Sequence, residues 1–465
     1  MKKIFTLIAS ALLAAPLMAQ DVLTIDQCRS LALQNNKERK SAALVTQRQD
    51  LTVKSTRALF LPDFSITGFG LYDTGDGTLG LGLTGLKQQL TSAVMGGMQA
   101  GVLSPGMAQW LGGVGEQVPD QLGLDYKIGF VYGASLVMKQ PLYMGGKIRA
   151  GYAMAQTAAQ MARQNERLTD AEVIQQADEA YANCVKATEL KKVAEQYKVL
   201  LEELNRNVQS AIKHGMKMPA DQMKVQVKLN EVELQIRRAE NAQRLAAMNL
   251  CHVTGQPLKS SFAVNSDYPA VDDARLLAAS DITSRPEYAL LEGQAQLAAQ
   301  QVRMTRSEML PQVTLLAKYG YAHGLEFNDK NLLDGWNFAA GITLNVPLYH
   351  FGERSNKLKA ARLKQQQAEL ERDNKSELMQ LELARAANNL DEARLEVELA
   401  ERTLAQSRES MRLSEQQYKA GTEPLSDFLE SQAVWQKAYE SQVEAHFQLY
   451  LQSVAYLKAA GRLVE

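Results

Sequence analysis

The sequence has 465 residues, with 51 Lys and Arg against 52 Asp and Glu, so its formal charge of −1 leaves no basic footprint for nucleic acid. Cys28, Cys184 and Cys251 are odd in number and widely spaced, which excludes a disulfide framework or a cysteine metal site. Abundant Ala, Leu, Gln and Glu with 6% aromatic residues point to a helix-rich chain.

Lys2 and Lys3 precede an apolar run from Ile4 to Met18, and Ala19-Gln20 offers a small-residue cleavage site. This predicts a secretory signal peptide over residues 1–19. A membrane anchor is the weaker alternative, because the run is too short to span a bilayer. Cys28 lies well past the cleavage site, so a lipid-modified terminal cysteine is not expected. Thr24 with Gln27 is a capping-box pattern that starts the first helix. That helix is expected to run to about Phe60, where Leu61-Pro62 stops it, since the residue before proline is pushed out of the helical region.

Alternation follows. Phe64, Ile66, Gly68, Gly70 and Tyr72 share one face of a strand expected over 62–73. The connection from Thr74 to Asp125 is long, Gly- and Met-rich and weakly amphipathic around 86–102. Two readings stand for it: a segment outside the cell that folds over the mouth of the strand region, or a mobile surface loop. A second strand is expected over 128–140, with Phe130, Tyr132, Ala134, Leu136 and Met138 on its apolar face. Pro141 breaks the ladder and Gly146 permits a turn into a long helical hairpin, about 146–255. The seam of its first arm is Leu190, Ala194, Tyr197, Leu201, Leu204, Val208 and Ala211, and Gly215 marks the hairpin tip.

The chain then repeats itself. Residues 335–461 lie on 129–255 without a gap at an offset of 206, with Pro347-Leu348-Tyr349 on Pro141-Leu142-Tyr143, Gly352 on Gly146 and Gly421 on Gly215. Upstream the offset is 249, with Leu310-Pro311 on Leu61-Pro62. One structural unit is used twice. The first repeat is 20–256, the connection 257–282 and the second repeat 283–465. Ser284 with Glu287 copies the capping box. Strands are expected over 311–322 and 336–346, the second with Trp336, Phe338, Ala340, Ile342 and Leu344 on its apolar face. The second hairpin covers about 352–461. Between Gly352 and Tyr418, Leu383, Ala386, Leu390, Ala393, Val397, Ala400 and Leu404 recur in steps of three and four. That is a coiled-coil seam on a helix roughly 100 Å long at 1.5 Å per residue. Frequent alanine on the seams lets helices lie close, as in a wall.

The strands allow two readings. One is a half-buried strand of a soluble sandwich. The other is a transmembrane β-strand with a lipid face of Phe130, Tyr132, Leu136, Trp336, Phe338 and Ile342. If they cross a membrane, four strands per chain are too few for a barrel, and open edges cannot sit in lipid, so several chains must share one.

Catalytic signals are absent. The five histidines are scattered without metal-motif spacing, and no P-loop, dinucleotide fingerprint or nucleophile elbow occurs. No enzyme activity, catalytic residue, metal site or cofactor is expected. After Tyr418, Asp427 and Glu430 are three apart on one helix face near a tip. In a symmetric oligomer they form acidic rings that bind cations; alone they read as acids at a helix N-terminus, favoured by the dipole.

The duplicated helix–strand–strand–helix–helix unit, the helix-ending Leu-Pro, the Pro-Leu-Tyr-x-x-Gly and the glycine at each tip resemble the TolC-like outer membrane efflux protein family. The resemblance covers essentially all of the mature chain. It implies a mainly α protein with transmembrane β: a homotrimer in outer membrane lipid, with a shared 12-stranded β-barrel and a long periplasmic α-barrel of coiled-coil hairpins. It implies a passive exit duct for tripartite efflux or type I secretion, docked by a periplasmic adaptor and an inner-membrane RND or ABC-type pump. The family's aperture residues fall on Tyr418, Asp427, Glu430 and Asp221, and its adaptor-docking turns on Gly215 and Gly421. Its aperture arginine falls on Glu423, a departure for which Lys217 is a candidate substitute partner. The alternative is a periplasmic coiled-coil adaptor or scaffold without a barrel.

Overall fold

The computed structural model describes residues 22–72, 74, 76–99, 103–117, 119–260, 263–264, 268–272, 276, 281–327 and 330–464. The expected signal peptide lies outside the described residues. The chain forms two compact units: residues 54–152 with 303–358, and residues up to 53, 153–302 and from 359 onward.

The chain enters through β1 (Val22–Leu23) and α1 (Ile25–Asn35). The Thr24 capping box forms, with Thr24 Oγ1 accepting from the Gln27 amide and Gln27 Oε1 from the Thr24 amide. The single helix expected up to Phe60 is broken at Asn36. Its side-chain oxygen accepts from the Glu38 amide and starts α2 (Lys37–Ala58), while its amide group donates to the Val253 carbonyl.

In the unit of residues 54–152 and 303–358, β2 (Asp63–Tyr72) and β3 (Asp76–Gly82) pair in succession along one partner, β4 (Gln121–Met144). The Thr74–Asp125 connection is therefore not a loop. It holds β3 and two helices, α3 (Thr84–Gln99) and α4 (Pro105–Gln117), which pack on each other. Residues 75, 100–102 and 118 of this connection lie outside the described residues. Strand β4 is longer at both ends than the expected 128–140, because β3 and the following repeat give its extra residues partners.

The chain then runs through α5 (Lys147–Lys213) and α6 (Pro219–Val253) to β5 (Ala263–Val264), which pairs in parallel with β1. A 3-10 turn, Ile282–Ser284, leads into α7 (Pro286–Ser307). The second capping box does not form. Ser284 Oγ donates to the Asp281 carbonyl, Asp281 caps the turn, and Glu287 pairs with Arg285. Strands β6 (Gln312–Phe327) and β7 (Lys330–Asn345) precede α8 (Glu353–Ala420) and α9 (Leu425–Ala459).

The sheet order is β2-β4-β6-β7, all antiparallel, with β3 in line with β2. Register joins the alternating faces of both repeats into one: Ile66 opposite Leu136, Leu136 opposite Tyr319, Tyr319 opposite Phe338. Phe130, Tyr132, Leu136, Trp336, Phe338 and Ile342 all lie on it and all are exposed. Aromatic rings gather there, with Tyr319 stacked on Trp336 at 5.2 Å. On the opposite face of β4, Val131 and Ser135 are buried, and the Phe69 ring covers Gly133.

The helical unit has the core. One cluster gathers Cys28, Val173, Tyr181, Val185, Leu250, Val443, Phe447 and Val454. Within it Arg29 grips the buried Asp178 through two hydrogen bonds, Nε to Oδ1 at 2.7 Å and Nη2 to Oδ2 at 2.8 Å, tying α1 to α5. Burial pushes the Asp178 carboxyl up, the Arg29 bonds notwithstanding. The long-helix seams are realised. Ala194, Tyr197, Leu201, Leu204 and Val208 of α5 are buried; on α8, Leu390 and Ala393 are buried and Leu383, Ala386, Val397, Ala400 and Leu404 half-buried.

Candidate functional site at the hairpin tips

Each hairpin turns by the same local device. Helix α5 ends with the Gly215 amide donating to the Ile212 carbonyl and the Met216 amide to Ala211; α8 ends with Gly421 to Tyr418 and Thr422 to Gln417. This is a Schellman ending, which needs a left-handed residue at its centre. Gly215 sits at φ +71° and Gly421 at φ +78°, where an L side chain is strained. Prolines then set the return, Pro219 as the first residue of α6 and Pro424 as the N-cap of α9.

The second tip is built on an aromatic pair. Leu425, Phe428 and Leu429 are buried by the first turn of α9, in a cluster with Leu201, Leu204, Val208, Val225 and Val232. Tyr418 stacks on Phe428 with centroids 5.2 Å apart and planes 15° from parallel. Lys217, from the first tip, places its Nζ 4.7 Å from the centre of the Tyr418 ring, a cation–π contact. Burial, and next the charge of Asp221, hold the Tyr418 phenol above its ordinary range.

The four aperture candidates divide. Tyr418 is half-buried, with Lys217 on its ring and Asp221 close enough to act on it. Asp221 itself has Lys224 at 3.5 Å. Asp427 and Glu430 lie on the exposed face of α9, and the Asp427 carboxylate accepts from Ser426 Oγ at 2.8 Å. Within one chain Lys217 and Glu423 do not meet. Glu423 Oε1 instead accepts from Ser414 Oγ at 2.5 Å, and its other oxygen is buried without a hydrogen-bond partner.

Sequence reasoning missed Ser414, Phe428 and the placement of Lys217. Phe428 is visible in hindsight as the apolar residue ten positions after Tyr418, across the turn. It also missed a cavity of about 290 Å³ beside Tyr418, lined by Leu200, Glu203, Met411, Phe428 and Gln432 among others. Gln432 is 3% exposed and its Oε1 has no partner. Chemically the tips offer ionic and aromatic contacts, and among the described residues no group of His, Cys, Asp and Glu could hold a metal. No described helix is long and apolar enough to cross a membrane.

The chain thus carries a sheet with an exposed aromatic face and two long helical hairpins. The model of the outer membrane efflux protein family matches residues 123–256 and 282–462. The chain belongs to that family. It is an outer membrane efflux channel protein with a periplasmic helical extension, and not an enzyme. The soluble adaptor or scaffold alternative falls with this membership.

Solved structures share the fold. The CmeC outer membrane channel of Campylobacter jejuni is 18% identical, with a TM-score of 0.69 over 94% of this chain and 85% of that one. The outer membrane protein VceC of Vibrio cholerae is 15% identical, with a TM-score of 0.70 over 94% and 96%. The MtrE outer membrane channel of Neisseria gonorrhoeae is 16% identical, with a TM-score of 0.68 over 95% and 89%. Among curated proteins no match is found.

Proposed function

We propose that the protein is the passive exit duct of a tripartite efflux or type I secretion system, working as a homotrimer. The observation that carries this is the sheet. Four strand columns end in β2 and β7, neither of which has a second partner among the described residues, and one face is apolar and exposed. Unpaired edges cannot face lipid, and four columns cannot close a barrel. Three copies give twelve strands and remove every edge.

Phe130, Tyr132, Leu136, Trp336, Phe338 and Ile342 then face lipid. The hairpin tips around Gly215 and Gly421 form the lower end, where a periplasmic adaptor docks and an inner-membrane RND or ABC-type pump drives transport. Tyr418, Asp221, Asp427 and Glu430 line the closed aperture. Threefold symmetry turns Asp427 and Glu430 into acidic rings. Glu423 and Lys217 stand where an altered latch between copies would form. The domain reading is two repeats, 20–256 and 283–465, joined by 257–282.

The protein mass of the purified mature chain in detergent, with the detergent subtracted, tests the assembly. Three chains per particle are expected, and a detergent-free monomer removes the shared barrel. In planar bilayers, Asp427→Asn with Glu430→Gln is expected to weaken block of conductance by divalent cations. Block unchanged from the wild type removes the acidic rings.

A further inference from the structure

Phe351 stands in a backbone conformation that its own repeat partner reserves for glycine. It sits at φ +45°, the one positive-φ residue other than glycine among the described residues. Its counterpart at an offset of 206 is Gly145, at φ +62°. For a bulky residue this conformation is a steric outlier. Little among the described residues offsets it: the ring is 91% exposed and meets the exposed Tyr349 ring edge-on at 4.9 Å. Leu348, next to them, is 90% exposed.

The internal repeat says what lies opposite. In the first repeat the end of β4 and Gly145 pack on the segment that leads into β6. A side-chain carbon on Gly145 would lie 2.6 Å from the Ser307 carbonyl oxygen and 2.9 Å from Leu310 Cβ. The equivalent of that segment, at an offset of 249, runs from Ala58 to Leu61, ahead of β2. There Leu59 and Leu61 are exposed, at 57% and 63%. Within one chain β4 meets β6, whereas among the described residues β7 stands at one free edge of the sheet and β2, with β3 in line, at the other. The second repeat can therefore complete the same contact only on another copy of the chain.

The observed β4–β6 register transfers in the same way. Leu136 opposite Tyr319 becomes Ile342 opposite Gly70, and Met138 opposite Ala317 becomes Leu344 opposite Gly68. The transferred pairs are complementary in volume: Ile342 and Leu344 are large and exposed, while Gly68 and Gly70 carry no side chain, and a carbon added there would meet nothing nearer than 3.6 Å.

We propose, resting on the trimer reading, that the seam between copies has one fixed register. Strand β7 lies antiparallel to β2 of the next copy, with Ile342 on that copy's Gly70 and Leu344 on its Gly68. Phe351 is the knob that locks the register against Leu59 and Leu61 of the next copy. Its ring takes the place of the tight backbone approach that Gly145 makes within the chain, so the seam between copies is spaced by a phenyl ring where the internal one is not. Lipid is the competing occupant of the ring, and the test separates the two.

Full-length protein in native outer membranes is oxidised and run without reductant. Cys28, Cys184 and Cys251 are buried, so introduced pairs report alone. Ile342→Cys with Gly70→Cys, and Leu344→Cys with Gly68→Cys, should each give disulfide-linked trimers. Ile342→Cys with Gly68→Cys should not, because diagonal neighbours stand about 7–8 Å apart, beyond disulfide reach. Linking in the off-register pair alone, or in none of the three while the particle mass is still three chains, overturns the register. A one-chain particle overturns the trimer reading itself. For the knob, Phe351→Gly relieves the backbone, yet should make the trimer dissociate at a lower temperature in detergent, as should Leu61→Ala. Dissociation that is unchanged, with altered extraction from membranes, assigns the ring to lipid and overturns its role at the seam.

Discussion

The two hairpin tips have one backbone and opposite chemistry. Gly215 and Gly421 occupy the same left-handed position, and each return helix begins four residues later. At corresponding positions the first tip has Ile212, Lys217, Gln222 and Lys224, where the second has Tyr418, Glu423, Phe428 and Glu430. Asp221 and Asp427 correspond, but Lys224 stands 3.5 Å from the first while Glu430 accompanies the second. The turn is set by main-chain hydrogen bonds that care only for glycine. The side chains were therefore free to diverge, and the divergence put the aromatic stack and the unneutralised acids on the second hairpin. Lys217 crosses to the Tyr418 ring, so the first tip acts on the second through charge.

This contrast can be broken at three depths. The largest effect belongs to the stack. Phe428→Ala removes a buried ring and is expected to cost about 3–5 kcal/mol, while Gln222→Ala at the matching place stays within about 0.5 kcal/mol. Denaturant midpoints followed by helical circular dichroism compare them, and equal losses would mean that the tips are packed alike. Next come the glycines. Gly215→Ala and Gly421→Ala should each cost about 1–2 kcal/mol, the left-handed penalty, and by equal amounts, since the backbone is shared. A clear inequality in the same melts would show that the turns are not equivalent.

The smallest effect is titration. Burial and Asp221 raise the Tyr418 phenol in the folded state. The stability this supplies is fully present below the ordinary tyrosine value of 10.0 and is lost as pH rises through the raised folded value. Tyr418→Phe should remove that part of the alkaline loss in melting temperature. Identical alkaline slopes in the two proteins would show that the phenol does not report on the tip.

What could be read in the sequence was whatever obeys a period. The seam from Leu383 to Leu404 is buried or half-buried at every step, because a helix of constant pitch carries its register over many turns. The strand faces obeyed a period of two, and register joined them as one. Capping was legible where the motif competed with nothing, at Thr24. It failed at Ser284, where Asp281 three residues earlier takes the turn. Asn36 breaks a helix because its amide reaches Val253, 217 residues away, which no local pattern reveals. The segment 74–125 hid its two helices in Gly- and Met-rich composition that resembles a loop. At the tip, the place of Tyr418, Asp427 and Glu430 beside the turn followed from the repeat, and their aperture role is a proposal that rests on the family resemblance. The bond from Ser414 to Glu423 depends on how the chain folds back across a turn, and neither the repeat nor a helical period encodes it.

All ten residues of β2 are exposed in the single chain, whereas the helical unit closes over Phe447, Leu201 and Val185 unaided. The order of biogenesis follows. A newly exported chain can condense its helices at once, since their contacts are made within one molecule. If the chain assembles as the trimer proposed above, its strands reach their final burial only by meeting lipid and two further copies, a step whose rate depends on concentration. Between the two steps the strand edges invite wrong partners. Residues 63–72 and 330–345 therefore need cover from such partners until the sheet edges are paired.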